Sequence, residues 1–156
     1  MEYEAVFDKA ELTSLAVTSA EIEEAEKEVP IELKAAIYLA KRNIETFHST
    51  QRFEGKKVDT MEGVTCWQKA VAIEKVGLYI PGGTAPLFST VLMLAIPAKI
   101  AGCKEIVLCT PPDKNGKVHP AILFAARLAG VSKIFKVGGV QAIAAMAYGT
   151  ESIPKV

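Results

Sequence analysis

Apolar positions along this chain change their period near residue 76, and the change divides it in two. Leu33, Ile37, Ala40, Ile44 and Phe47 recur at intervals of three and four, while Lys34, Lys41, Arg42 and Glu45 fall largely outside that stripe. The spacing predicts an amphipathic helix over 31–51. Ahead of it, Thr18-Ser19-Ala20-Glu21 has the form of a capping box, with Thr18 as the cap and Glu21 reaching back. A short acidic helix over 19–28 follows from that start, and Pro30 marks its break. Residues 7–17, beginning Phe7-Asp8-Lys9-Ala10, read as a linker with a short extended piece at Leu15-Ala16-Val17. Beyond Gly55 the helical register is lost. Residues 58–61 and 64–71 predict two strands around a turn at Glu62-Gly63, a hairpin able to lie against a larger sheet.

From Val76 the pattern is one of short continuous apolar runs alternating with helical segments. Strands are expected over 76–80, 106–109 and 133–137, and helices over 87–101, 121–129 and 140–148. The first of these helices is almost wholly apolar, through Val91-Leu92-Met93-Leu94-Ala95-Ile96, and should be buried on more than one side. Pro97 inside it predicts a kink or restart. Gly102 and Gly130 stand where helices stop. Continuous apolar strands such as Ile106-Val107-Leu108-Cys109 suit a parallel sheet covered on both faces. The order β-α-β-α-β-α predicts an α/β, Rossmann-like doubly wound sheet, incomplete at its C-terminal end. The division expected is 1–75 for helices and hairpin, and 76–156 for part of a nucleotide-binding domain.

Composition narrows the classes. Of 156 residues, half are hydrophobic, enough for a sizeable core, and 18 Lys plus Arg balance 18 Asp plus Glu. A neutral chain without a basic stripe argues against nucleic acid as partner. The uncharged run over 78–98 is interrupted by Pro81, Gly82, Gly83, Pro86 and Pro97, so it predicts a buried strand and helix rather than a membrane span. Met1-Glu2-Tyr3-Glu4 does not have the form of a signal peptide. Cys66, Cys103 and Cys109 lie in apolar contexts without metal spacing and read as buried, reduced thiols of a cytoplasmic protein. His48 and His119 are isolated, the first expected at a helix end and the second in a loop.

The candidate chemistry sits in two glycine turns. Tyr79-Ile80-Pro81-Gly82-Gly83 and Phe135-Lys136-Val137-Gly138-Gly139 are each a strand, a diglycine and a helix start. Glycine lets a ligand approach the backbone, and a helix N-terminus offers unpaired N–H groups and partial positive charge to a phosphate or carboxylate. Two such turns at one carboxyl edge are expected to bring two helix N-termini to a shared crevice. A tight βα connection without a ligand accounts for either turn taken alone.

Together with their neighbours, these segments carry a resemblance. The run from Gly77 to Leu87 (GLYIPGGTAPL), Gly102-Cys103-Lys104, and Val137-Gly138-Gly139-Val140-Gln141-Ala142-Ile143-Ala144 closely resemble the histidinol dehydrogenase family. Asn43-Ile44-Glu45-Thr46-Phe47-His48 and the stretch from Gly149 to Val156 fit it too, so the likeness spans essentially the whole chain in order. The resemblance implies a zinc- and NAD-dependent homodimer that takes L-histidinol through the aldehyde to L-histidine. It implies Tyr79 and Gln141 as NAD-contacting residues. The family's chains extend beyond both ends of this one, and its zinc ligands and acid–base glutamate and histidine pair fall beyond Val156. The resemblance therefore implies an inactive piece of the enzyme carrying part of the NAD site, prone to self-association. The alternative from the residues alone is a stand-alone nucleotide- or anion-binding α/β module, or a purely structural one.

Overall fold

A computed structural model describes residues 12–83 and 85–156; the Phe7-Asp8-Lys9-Ala10 start of the expected linker lies outside them. Helix α1 spans Ser19–Glu28 and α2 Ile31–Ser49. Strands β1 (Lys57–Met61) and β2 (Val64–Trp67) form an antiparallel hairpin. Then β3 (Lys75–Tyr79), α3 (Phe88–Ala101), β4 (Glu105–Thr110), α4 (Pro120–Ala129), β5 (Lys133–Lys136) and α5 (Gly139–Tyr148) alternate. The protein is thus mixed α/β, with a parallel sheet in the order β3-β4-β5.

The strands' alternation builds two cores, one on each face. Leu78, Ile80, Ile106, Leu108 and Ile134 point one way, against Leu92 and Ile96 of α3, Ile122 and Ala126 of α4, Ala25 of α1 and Ile37 of α2. Val107, Cys109, Phe135 and Val137 point the other way, against Ala142 and Met146 of α5 and against Ile153. Both faces of β4 are therefore covered, which is why its sequence is continuously apolar rather than alternating. Gly77 faces α5, where a Cβ would stand 2.7 Å from Met146 Sδ. Its bare backbone lets that helix lie close to the sheet.

The capping box forms as its residues require. Glu21 N–H donates to Thr18 Oγ1 at 3.2 Å, and Thr18 N–H donates to Glu21 Oε2 at 2.8 Å. The extended piece before it covers the outer edge of β5. Val17 N–H donates to the Ile134 carbonyl, Lys136 N–H donates to that of Leu15, and Ala16 bridges Phe135 antiparallel. At the amino edge, Glu105 pairs with Lys133 at 2.8 Å and Lys75 at 3.6 Å, one residue from each strand.

Three expectations need correction. Among the described residues the hairpin forms a two-stranded sheet of its own and joins nothing larger; every residue from Ser49 to Lys75 is exposed, and β2 ends at Trp67. Cys66 consequently lies in the open rather than buried, Cys103 is half-buried, and only Cys109 is enclosed. Finally, α3 runs through Pro97 without a restart and is buried along Val91, Leu92, Ala95 and Ile96, while Met93 and Leu94 are exposed. The N–H that proline lacks would have bonded to the Met93 carbonyl, on that open side.

Candidate functional site

Both glycine turns reach the carboxyl edge of the sheet, but not from neighbouring strands. They follow β3 and β5, with the end of β4 between them. Pro111, the residue after β4, fills that gap. A Cβ at Gly82 would lie 2.6 Å from Pro111 Cγ, and one at Gly138 would lie 2.7 Å from Pro111 Cβ. Contacts that short are not tolerated between packed atoms, so each turn needs glycine for close approach to the proline.

The two helices expected to share a crevice start on opposite faces of the sheet. Helix α3 packs in the first core and α5 in the second. The helix start that shares a cavity with the first glycine turn is that of α4. This cavity, about 410 Å³, is bounded by Gly82, Gly83, Thr110, His119, Glu21 and Lys117 among others. The reason is topological. With β4 between β3 and β5, two successive crossovers of one hand place α3 and α4 on the same face.

Tyr79 and Gln141 both reach Gly139, on the other side of the edge. Tyr79 ends β3 with its side chain toward the α5 face, partly buried against the second core. Its hydroxyl accepts a hydrogen bond from Gly139 N–H at 3.0 Å. Gly139 opens α5 with φ 66°, a left-handed conformation that side chains disfavour. Gln141, two residues on, folds back over it. A Cβ at Gly139 would stand 2.7 Å from Gln141 Oε1 and 3.2 Å from its Nε2. The third helical residue is where a glutamine ordinarily reaches back to the cap. Here both polar atoms of the amide are buried and have no hydrogen-bond partner among the described residues. An orphaned buried amide is costly. Its position beside a glycine-rich helix start fits a polar ligand.

Three polar groups near this edge were given no role at the site from the sequence. Lys136, at the end of β5, is buried and forms an ion pair with Glu21 of α1. Burial alone would raise the Glu21 carboxyl, but the hydrogen bonds from Lys136 and Thr18, with the lysine's charge, outweigh it and hold the group below the ordinary carboxylate range. A lysine within the apolar run Ile134-Phe135-Lys136-Val137 was the available signal. Thr110 is buried at the end of β4 and lines the cavity. His119, expected as a loop residue, is the N-cap of α4, its Nδ1 accepting from Ala121 N–H at 3.2 Å, directly before Pro120. His48 does sit at a helix end, paired with Gln51 at 2.7 Å. Among the described residues no group of three or more His, Cys, Asp or Glu is placed to hold a metal ion. No described helix is long and apolar enough to cross a membrane.

Parallel strands with helices on both faces, and glycine turns gathered at the carboxyl edge, define a mixed α/β protein. A family model described as histidinol dehydrogenase matches residues 1–156. The chain is 99% identical over 156 residues to a histidinol dehydrogenase of Bacteroides fragilis, covering all of this chain and 36% of the relative. Against that of Bacteroides thetaiotaomicron it is 82% identical, with the same coverage. A crystal structure of histidinol dehydrogenase from Elizabethkingia anophelis superposes with a TM-score of 0.96 at 55% identity, over 99% of this chain and 36% of that one. The chain belongs to the histidinol dehydrogenase family. It spans about a third of the length of the relatives it matches.

Proposed function

We propose that the full-length protein oxidises L-histidinol to L-histidine by way of the aldehyde, using NAD and zinc, as a cytoplasmic homodimer. Residues 76–156 would supply part of the NAD site, and 1–75 would flank it. Family membership supports the reaction, and the free thiols are in keeping with a reducing compartment. Exposed apolar side chains on the hairpin and α5, including Met61, Trp67, Val140 and Tyr148, are in keeping with association.

The observation that carries the NAD assignment is the Gln141 amide, buried beside Gly139 without a hydrogen-bond partner among the described residues, where Tyr79 also reaches. The chemistry a bound NAD would supply is hydride acceptance. This chain's own groups bind and orient: Gln141 offers a donor and an acceptor, and Tyr79 a ring face. Pro111, fitted between the two turns, fixes their spacing. The residues described here do not fit zinc, whose ligands the family resemblance puts beyond Val156, and no step through the metal is derived from them.

The test is Gln141→Ala in the full-length protein. KM for NAD should rise about tenfold, the scale of one or two lost hydrogen bonds, with KM for histidinol and zinc content unmoved. An unchanged NAD dependence removes Gln141 from the site.

A further inference from the structure

Helix α5 opens with a backbone N–H that is already taken. The first N–H groups of a helix lack intrahelical partners and are the ones an anion would bind. At α5 the N–H of Gly139 instead donates to the hydroxyl of Tyr79, sixty residues away across the end of β4. The Gln141 amide folded over the same glycine has no partner among the described residues for either polar atom. So one group at this helix start is satisfied by a side chain from another strand, and its neighbour is left wanting. A phenol oxygen is a weaker acceptor for a helix N-terminus than an anionic oxygen.

We propose that the Tyr79 hydroxyl is a placeholder: it occupies the Gly139 N–H in the ligand-free protein and yields it to a negatively charged oxygen of the bound dinucleotide, such as one of the pyrophosphate. On exchange, the tyrosine ring stays against the ligand, its hydroxyl turns away, and the Gln141 amide gains its missing partner. Because the hydroxyl competes with the ligand, Tyr79→Phe relieves the competition while keeping the ring. This rests on the NAD assignment above and adds a direction that simple contact does not give. A hydroxyl that merely touched the ligand would weaken binding when removed.

The experiment uses the full-length protein and measures dissociation constants for NAD and for ADP-ribose by calorimetry, for the wild type, Tyr79→Phe and Gln141→Ala. Tyr79→Phe should bind both ligands about two- to tenfold more tightly, the range set by one ordinary hydrogen bond. Gln141→Ala should bind them more weakly. In the wild type, the Gly139 amide resonance should shift on adding ADP-ribose, and in Tyr79→Phe it should already be displaced before ligand is added. Unchanged or weaker binding by Tyr79→Phe, with Gln141→Ala weakened, overturns the placeholder and leaves the NAD site standing. No change in either variant overturns both. Equal melting temperatures of the variants and wild type keep loss of folding from imitating these outcomes.

Discussion

Glu21 and Lys136 join the first helix to the last strand across the carboxyl edge. Lys136 is one of only two polar residues buried among the described residues, and Glu21 takes its ammonium with one oxygen while closing the capping box with the other. The pair therefore couples the start of α1 to the strand that carries the second glycine turn. Removing one partner leaves the other charge half-enclosed, so Lys136→Ala should cost about 1–3 kcal/mol of stability.

The pH dependence of that pair has a definite sign. Its carboxyl is held below the ordinary range in the folded protein. Its contribution is complete above the unfolded carboxylate value and is lost as pH falls through the lower, folded one. Melting temperature should therefore drop as pH falls through and below the ordinary carboxylate range, and Glu21→Gln should show a shallower drop. An equally steep profile in Glu21→Gln would assign the acid sensitivity to other groups.

Pro111 gives a test that separates the two glycine turns. Gly82→Ala and Gly138→Ala should each destabilise by about 1–3 kcal/mol through overpacking against the proline. The atoms involved differ. At Gly82 the conflict is with Pro111 Cγ, whereas Cβ lies at 3.6 Å; at Gly138 it is with Cβ itself. Adding Pro111→Ala should rescue Gly82→Ala and leave Gly138→Ala unrescued, as read by denaturant midpoints of the double variants.

The three cysteines should alkylate in the order of their enclosure. Cys66 is exposed, while burial pushes the Cys109 thiol up to about 12. At mildly alkaline pH, Cys66 should be modified first and Cys103 more slowly. Cys109 should react only as the protein opens, since the thiolate is the reacting form. Peptide mass spectrometry over a time course reads the order directly.

Gly139→Ala bears on the site itself. The residue sits at φ 66°, and a methyl there would meet the Gln141 amide. The substitution should raise KM for NAD by about tenfold or more, combining strain at a left-handed position with a displaced amide. Gly83→Ala, whose Cβ would meet nothing within 4 Å among the described residues, is the control expected to leave KM unmoved.

Local and periodic features were legible in the sequence. Thr18 and Glu21 declare the capping box because its bonds span only three residues. The apolar run of β4 announces cover on both faces, and Leu33, Ile37, Ala40 and Ile44 of the α2 stripe do pack on the first core, whereas Phe47 of that stripe is exposed. Tyr79 and Gln141 came from family likeness, and the structure brings both to Gly139. What was not legible depends on partners distant in the chain. Lys136 finds Glu21 over 115 residues, and Pro111 is placed between two glycines by strand order. The hairpin was recognised, but its isolation was not. Alternating apolar residues show that a strand wants cover and do not say where that cover comes from.

The strip Leu15-Ala16-Val17 gives the sheet a closed flank beside β5, whereas the far side of β3 has no strand alongside it among the described residues. Accretion is thereby polarised: a further strand joining this sheet would dock beside β3, next to the first glycine turn, rather than beside β5.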